Sequence, residues 1–380
     1  MIETSDFIKG LESTGIQFIT GVPDSLLKDI CAHITSHFEN NQHIIATNEG
    51  SAVGLAIGHY LATSRPALIY LQNSGLGNII NPIASLADPQ VYAVPMMLMI
   101  GWRGETMEDG KQIQDEPQHV KQGQITTAQL DVLGIPYHII DANTSEIEVI
   151  LEQACSDALA RSGPVALLVR KNTFTRFDLK ASAQEGLDLT REEAIEQIIS
   201  VLPINAVIIS TTGMASRELF ELRKFSQSGH QRDFLTVGGM GHASQIAAGI
   251  AISRPDRTVV CLDGDGAVLM HAGALAISAE CPNLLHIILN NEAHDSVGGQ
   301  PTKGAVLRFD RISRAFGYRH VNSACGAHEL REKLTRMLNS EGSALLEVRC
   351  KRGARNNLGR PDRPPVQNKA DFMKFLEVGK

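Results

Sequence analysis

The chain has no CxxC pair, no long apolar run and no excess of positive charge, and each absence removes a class of function. Its six cysteines (Cys31, Cys155, Cys261, Cys281, Cys325 and Cys350) are scattered, a pattern that suits reduced thiols better than a disulfide framework or a zinc cluster. The most apolar stretch, VYAVPMMLMIGW at 91–102, is too short to span a bilayer and contains Pro95. The opening residues MIETSDFIKGLEST carry acids early and lack the apolar core of a secretory signal. A formal net charge of −7 gives no electrostatic reason to expect nucleic-acid binding, so an anionic partner would need local donors. These absences lead us to expect a cytoplasmic protein without membrane or nucleic-acid partners.

What is there fits a soluble protein with real cores: 43% hydrophobic and 20% charged residues in a chain of 380. That length predicts two domains, and the chain echoes itself. EGSAVGLAIGHYLATSRPALIYL at 49–71 resembles GHASQIAAGIAISRPDRTVVCL at 241–262, each a small-residue helix pattern, then Ser-Arg-Pro, then a buried strand. GPVALLVRK at 163–171 is matched in the same way by GSALLEVRC at 342–350. Strands alternating with helices predict parallel sheets covered on both faces. Between the halves lies a polar stretch, followed by a helix start at Thr190 with a capping partner at Glu193. We expect two related doubly wound α/β domains, 1–185 and 186–380, with no middle domain.

The stretch VVCLDGDGAVLMHAG reads as a buried strand running into Gly264, Asp265 and Gly266, with a helix opening at once. A second strand pattern, LLHIILNN, ends in Asn290 and Asn291. Carboxyl ends of neighbouring parallel strands lie side by side, so Asp265 and Asn291 are expected to converge. Hard oxygen donors there suit Mg²⁺ shared with ligand phosphates, and the helix start would face the same place with N–H groups. A rival pattern is FLTVGGMGHASQ, where Gly239, Gly241 and Ser244 approximate a dinucleotide fingerprint. Asp263 then stands about twenty residues on, as a ribose-binding acid would.

GDG followed by NN resembles the signature of the thiamine diphosphate-dependent enzymes, and the resemblance extends over both halves. It implies a pyrimidine-binding domain followed by a diphosphate-binding domain of the same fold, with thiamine diphosphate and Mg²⁺ as cofactors. It also implies a homodimer as the smallest competent unit. Glu49, which opens an apolar helix, would contact N1′ of the aminopyrimidine; a poorly solvated carboxylate can share a proton there. Gly238 would hold the 4′-amino group through its carbonyl, and Met240 would prop the cofactor in its bent shape. Gly264, Asp265, Gly266, Ala267 and Asn291 would bind the diphosphate, with Asp265, Asn291 and the carbonyl of Ala293 completing the metal shell.

Outside this core, TGVPDS (20–25), NSGLGN (73–78), GWRGE…DEPQH (101–119), NNEAHDSVGGQPT (290–302) and GRPDRPP (359–365) resemble the phosphonopyruvate decarboxylases. The resemblance implies a small 2-oxo acid substrate, 3-phosphonopyruvate, converted to phosphonoacetaldehyde and CO₂. Sulfopyruvate decarboxylases are similar but usually split the two domains into separate subunits, so a fused chain favours the phosphonate. Ser296, Gly298, Gly299, Gln300 and Thr302 would bind the phosphonate, with Arg103, Lys303 and Arg360 as possible charge partners. Asp24, His119, His294 and Asp295 are the further catalytic expectations beside Glu49.

Overall fold

Two faces of every buried strand must find apolar cover, and the alternation of side chains along each run shows how this chain provides it. The computed structural model describes residues 1–107, 109–179, 184 and 186–377. It divides into two compact units, Met1–Ala181 and Ser182–Lys380. The boundary expected near residue 185 falls outside the described residues.

The first unit holds strands β1 (Ile19–Gly21), β2 (His43–Ile45), β3 (Leu68–Gln72), β4 (Met96–Gly101), β5 (Tyr137–Ile140) and β6 (Pro164–Val169). All pair in parallel, in the order β2-β1-β3-β4-β6-β5. Leu68, Tyr70, Met97 and Met99 pack on one face, and Ile69, Leu71, Leu98 and Ile100 on the other, as a doubly covered sheet requires. Helices α1 (Thr4–Ser13), α2 (Lys28–His37), α3 (Glu49–Thr63), α4 (Leu76–Pro82), α5 (Pro117–Val132) and α6 (Ile147–Arg161) connect them. Asn48 caps α3 by accepting the Ser51 N–H at 2.8 Å, and Ser64 ends it in the left-handed region at φ 56°.

The second unit runs α7 (Arg191–Val201), β7 (Val207–Ser210), α8 (Met214–Phe225), β8 (Asp233–Leu235), α9 (Ala243–Ser253) and β9 (Val259–Gly264). It continues with α10 (Asp265–Met270), α11 (Leu275–Ser278), β10 (Leu284–Asn290), α12 (Phe309–Ala315), β11 (His320–Ala324), α13 (Ala327–Leu338), β12 (Ala344–Arg349) and α14 (Pro365–Glu377). Its parallel sheet has the order β11-β12-β10-β9-β7-β8. Read from the other edge and counted within the unit, that order is the order of the first sheet. The internal echo is therefore a repeat of topology. The capping box expected at Thr190 is present: Thr190 accepts the Glu193 N–H and Glu193 accepts the Thr190 N–H.

The helix expected to open at the GDG turn does so, at Asp265. The helix after the GDG turn is only six residues long, and a 3₁₀ turn, Ala272–Ala274, separates it from α11. Gly273 weakens the helix there, and Gln245 of α9 donates to the Ala274 carbonyl at 2.9 Å. So short a helix adds little dipole field at Asp265. Anion binding at this turn has to rest on individual N–H groups.

Candidate functional site

In each sheet the strand order reverses beside its first strand, and crevices form outside the carboxyl ends of the strands at such a reversal. In the first unit the residues following β1 and β3 meet at this edge. Asp24 is fully buried; its Oδ1 accepts from Gln72 Nε2 at 2.6 Å and its Oδ2 from the Leu26 N–H at 2.9 Å. Burial pushes its carboxyl up, against the pull of those bonds and of the Arg103 charge. Glu49 stands at the first turn of α3, buried, with Oε2 accepting from Asn78 Nδ2 at 2.7 Å. Only a glycine fits at Gly75, because a Cβ there would lie 2.5 Å from Glu49 Oε1. NSGLGN thus lines Glu49, a role its sequence alone does not reveal.

Arg103, expected as a charge partner for the substrate, is engaged within the protein. It donates to Asp115 at 2.7 and 2.6 Å and to Ser25 Oγ at 2.7 Å. Burial, and next the Arg103 charge, hold His119 down at about 4, so its imidazole is neutral at physiological pH. His119 Nδ1 has no hydrogen-bond partner among the described residues. Lys303 and Arg360, the other cations considered for the substrate, are exposed.

In the second unit, β9 and β10 are neighbours in register, Leu289 opposite Gly264, which brings Asp265 and Asn291 together. The Asn291 N–H donates to the Asp265 carboxylate, and the Thr302 hydroxyl donates to Asp265 Oδ2. Gly304 makes room for this: a side chain there would collide with Asp265 Oδ2 and Asn290 Oδ1. Asp265 is buried, and burial pushes its carboxyl up to about 6. Among the described residues no cationic side chain pairs with it. A desolvated carboxylate without a counter-charge, in a cleft that Asn291 also borders, offers a donor set that fits a hard divalent cation.

A cleft at this edge is bordered by Thr211, Met240, Asp265, Ala267, Asn291 and Ser296. Gly238 lies half-buried in the turn before α9. Gly264 and Gly266 also border the cleft, and the bare backbone of Gly266 serves a neighbour: a Cβ would lie 2.8 Å from His294 Cε1. Burial holds His294 down at about 4. Ala293 is buried, bridged to Pro301. Gly298 and Gly299 turn the loop with positive φ, 126° and 78°. Gln300 is fully buried, and neither its amide nitrogen nor its oxygen finds a partner among the described residues.

Asp295 has its Oδ2 engaged by Arg191, Asn291 and the Gly353 N–H. Arg191 and its second partner, Glu218, escaped the sequence reading. One signal was available: Arg191 is a cation in the first helical turn, where the dipole favours acids. Asp263, the ribose-binding acid of the dinucleotide pattern, is fully buried and faces His286, Oδ2 to Nε2 3.5 Å; it is closed to a ribose.

The chain is similar to known proteins along its whole length. Residues 4–129 match the family described as thiamine pyrophosphate enzyme, N-terminal TPP binding domain, and 211–348 match the C-terminal TPP binding domain. A phosphonopyruvate decarboxylase of Streptomyces viridochromogenes is 33% identical, over 99% of this chain and 95% of that protein. One from Streptomyces hygroscopicus is 32% identical, over 99% and 94%. A sulfopyruvate decarboxylase of Methanosarcina acetivorans is 28% identical, over 98% and 97%. Because that last relative is matched along its full length, a fused chain does not by itself select the phosphonate. Among the described residues no helix is long and apolar enough to cross a membrane.

Proposed function

We propose that this chain, which belongs to the thiamine diphosphate-dependent decarboxylases and is a 2-oxo acid carboxy-lyase, takes 3-phosphonopyruvate and releases CO₂ and phosphonoacetaldehyde. Thiamine diphosphate, when bound, supplies the electron sink for the pair left behind as CO₂ departs. Asp265, Asn291 and the Ala293 carbonyl would hold Mg²⁺. Gly264, Gly266 and the Ala267 backbone would receive the diphosphate, while Gly238 and Met240 would receive the aminopyrimidine end. Glu49 would hold a proton toward the aminopyrimidine, and Asp24 and the neutral imidazoles of His119 and His294 would handle protons at the substrate. The smallest working unit is a homodimer in the cytoplasm.

Gln300 carries the substrate reading. A buried amide without partners costs free energy, and polar atoms of a bound anion would recover it. It sits in a loop with Ser296, Gly298, Gly299 and Thr302, which offer short donors and bare backbone. That suits a phosphonate better than the methyl of pyruvate. The names of two relatives matched over nearly all of both chains support the same choice. Phosphorus NMR of protein with phosphonopyruvate, thiamine diphosphate and Mg²⁺ tests it: the phosphonoacetaldehyde resonance should grow as substrate falls. No product, alongside ready turnover of sulfopyruvate, would contradict it.

A further inference from the structure

Asn291 is gripped from behind. Asp295 Oδ2 accepts from Asn291 Nδ2 at 2.6 Å, from an Arg191 guanidinium nitrogen at 2.7 Å and from the Gly353 N–H at 2.9 Å. Arg191 in turn grips Glu218 with two parallel bonds of 2.8 and 2.9 Å. Arg191, Glu218 and Asn291 are 6%, 1% and 4% exposed, and the Asp295 side chain 9%. Burying two acids and one cation is a poor way to gain stability, since desolvation offsets most of the attraction. The arrangement therefore asks for another role.

Donor chemistry supplies one. A guanidinium and a backbone N–H can only donate, so the Asp295 oxygen they share acts as an acceptor. Its third partner must then be a donor, which forces the NH₂ end of the Asn291 amide toward Asp295. The amide oxygen is left on the other side, in the turn where it accepts the Ala293 N–H at 3.3 Å, by the cleft that Asp265 borders. A reversed amide would present two N–H groups where a cation has to bind.

We infer that Arg191, Asp295 and Glu218 are positioning residues that fix which end of the Asn291 amide faces the metal. The inference rests on the reading of Asp265 and Asn291 as metal ligands. It gives Asp295 a task through Asn291 and none at the reacting atoms.

Mg²⁺ affinity, read by calorimetry on the full chain with saturating thiamine diphosphate and no substrate, tests it. Asp295→Ala removes the acceptor and leaves either end of the Asn291 amide free to face the metal. Mg²⁺ affinity should fall about 10- to 100-fold, the range for partners that orient metal ligands. The double variant, Asn291→Asp with Asp295→Ala, should recover to within about threefold, because a carboxylate at 291 presents oxygen to the metal at either end and needs no acceptor behind it. A purely structural Asp295 predicts no such rescue. Should Asp295→Ala not fold, Arg191→Lys decides in the same way, because lysine keeps the charge but not the fork that holds both acids. Loss of about tenfold supports the inference, and unchanged affinity overturns it. Asp265→Ala separates the two claims. If it abolishes Mg²⁺ binding while Asp295→Ala leaves it intact, only the positioning role fails; if it changes nothing, the metal reading itself fails.

Discussion

Thr302 donates its hydroxyl proton to the carboxylate of Asp265, so the loop proposed to bind the substrate is fastened to the carboxylate proposed to bind the metal. Asp265→Ala should abolish saturable thiamine diphosphate binding in Mg²⁺, since it removes a charged ligand and leaves the charge of the diphosphate. Thr302→Ala should weaken cofactor binding by about tenfold, as loss of a ligand's hydrogen-bond partner does, as well as disturb substrate choice. Calorimetric titration with the cofactor checks both. Wild-type affinity in Asp265→Ala would show that the metal lies elsewhere.

Glu49→Gln separates holding the cofactor from activating it. Glutamine has the same size and can still accept the Asn78 bond of 2.7 Å, so cofactor affinity should stay within about threefold. It cannot exchange the proton, and turnover should drop by about 100-fold or more, the usual weight of a lost acid–base group. Deuterium exchange at cofactor C2, followed by NMR, should slow in step. Exchange at the wild-type rate would remove Glu49 from that role.

The strand pattern carried the fold, and it did so because burial on both faces leaves short unbroken apolar runs that Ser-Arg-Pro and Gly-rich turns cut cleanly. Convergence of Asp265 with Asn291 was legible for the same reason: parallel neighbours bring their carboxyl ends to one edge. The cage around Glu49 was half legible. NSGLGN is conspicuous as a motif, but that Asn78 would donate to Glu49 and Gly75 would clear it depends on how α4 folds back on α3. Beyond the oddity of a cation in a first helical turn, Arg191 and Glu218 were not legible, because the partner they work toward lies far off in sequence, Asp295 104 residues from Arg191. Only tertiary packing sets such pairs.

Acid stability should carry the mark of His43. Its ring bonds the Tyr70 hydroxyl at 2.9 Å, and burial holds its pKa down at about 4, below the ordinary 6.5 of an unfolded chain. The folded state thus resists a proton that the unfolded state accepts. This contribution is complete above about pH 6.5 and is lost as pH falls toward 4, up to about 3 kcal/mol. Urea unfolding from pH 7 to pH 4 should show that limb, and His43→Gln should make it shallower, leaving the share of His119 and His294, whose imidazoles are held down in the same way. An unchanged limb would mean that other groups cause the acid loss.

Gln300 sets function against stability. Gln300→Leu replaces an unpaired buried amide with an apolar group of similar size, and the thermal midpoint should hold or rise. The same change should erode the preference for a phosphonate. A clear fall in the midpoint would show that the amide does structural work, contrary to its unpaired state.

The most direct test of the substrate claim is kcat/KM for phosphonopyruvate, sulfopyruvate and pyruvate on one preparation with thiamine diphosphate and Mg²⁺. Phosphonopyruvate should exceed pyruvate by at least ~100-fold, about 2.7 kcal/mol of differential transition-state binding, within reach of a few charge-assisted hydrogen bonds. It should also exceed sulfopyruvate, and Gln300→Leu should narrow the gap to pyruvate. Comparable values for pyruvate, or a higher value for sulfopyruvate, would contradict the phosphonate reading while leaving the membership of the decarboxylase family untouched.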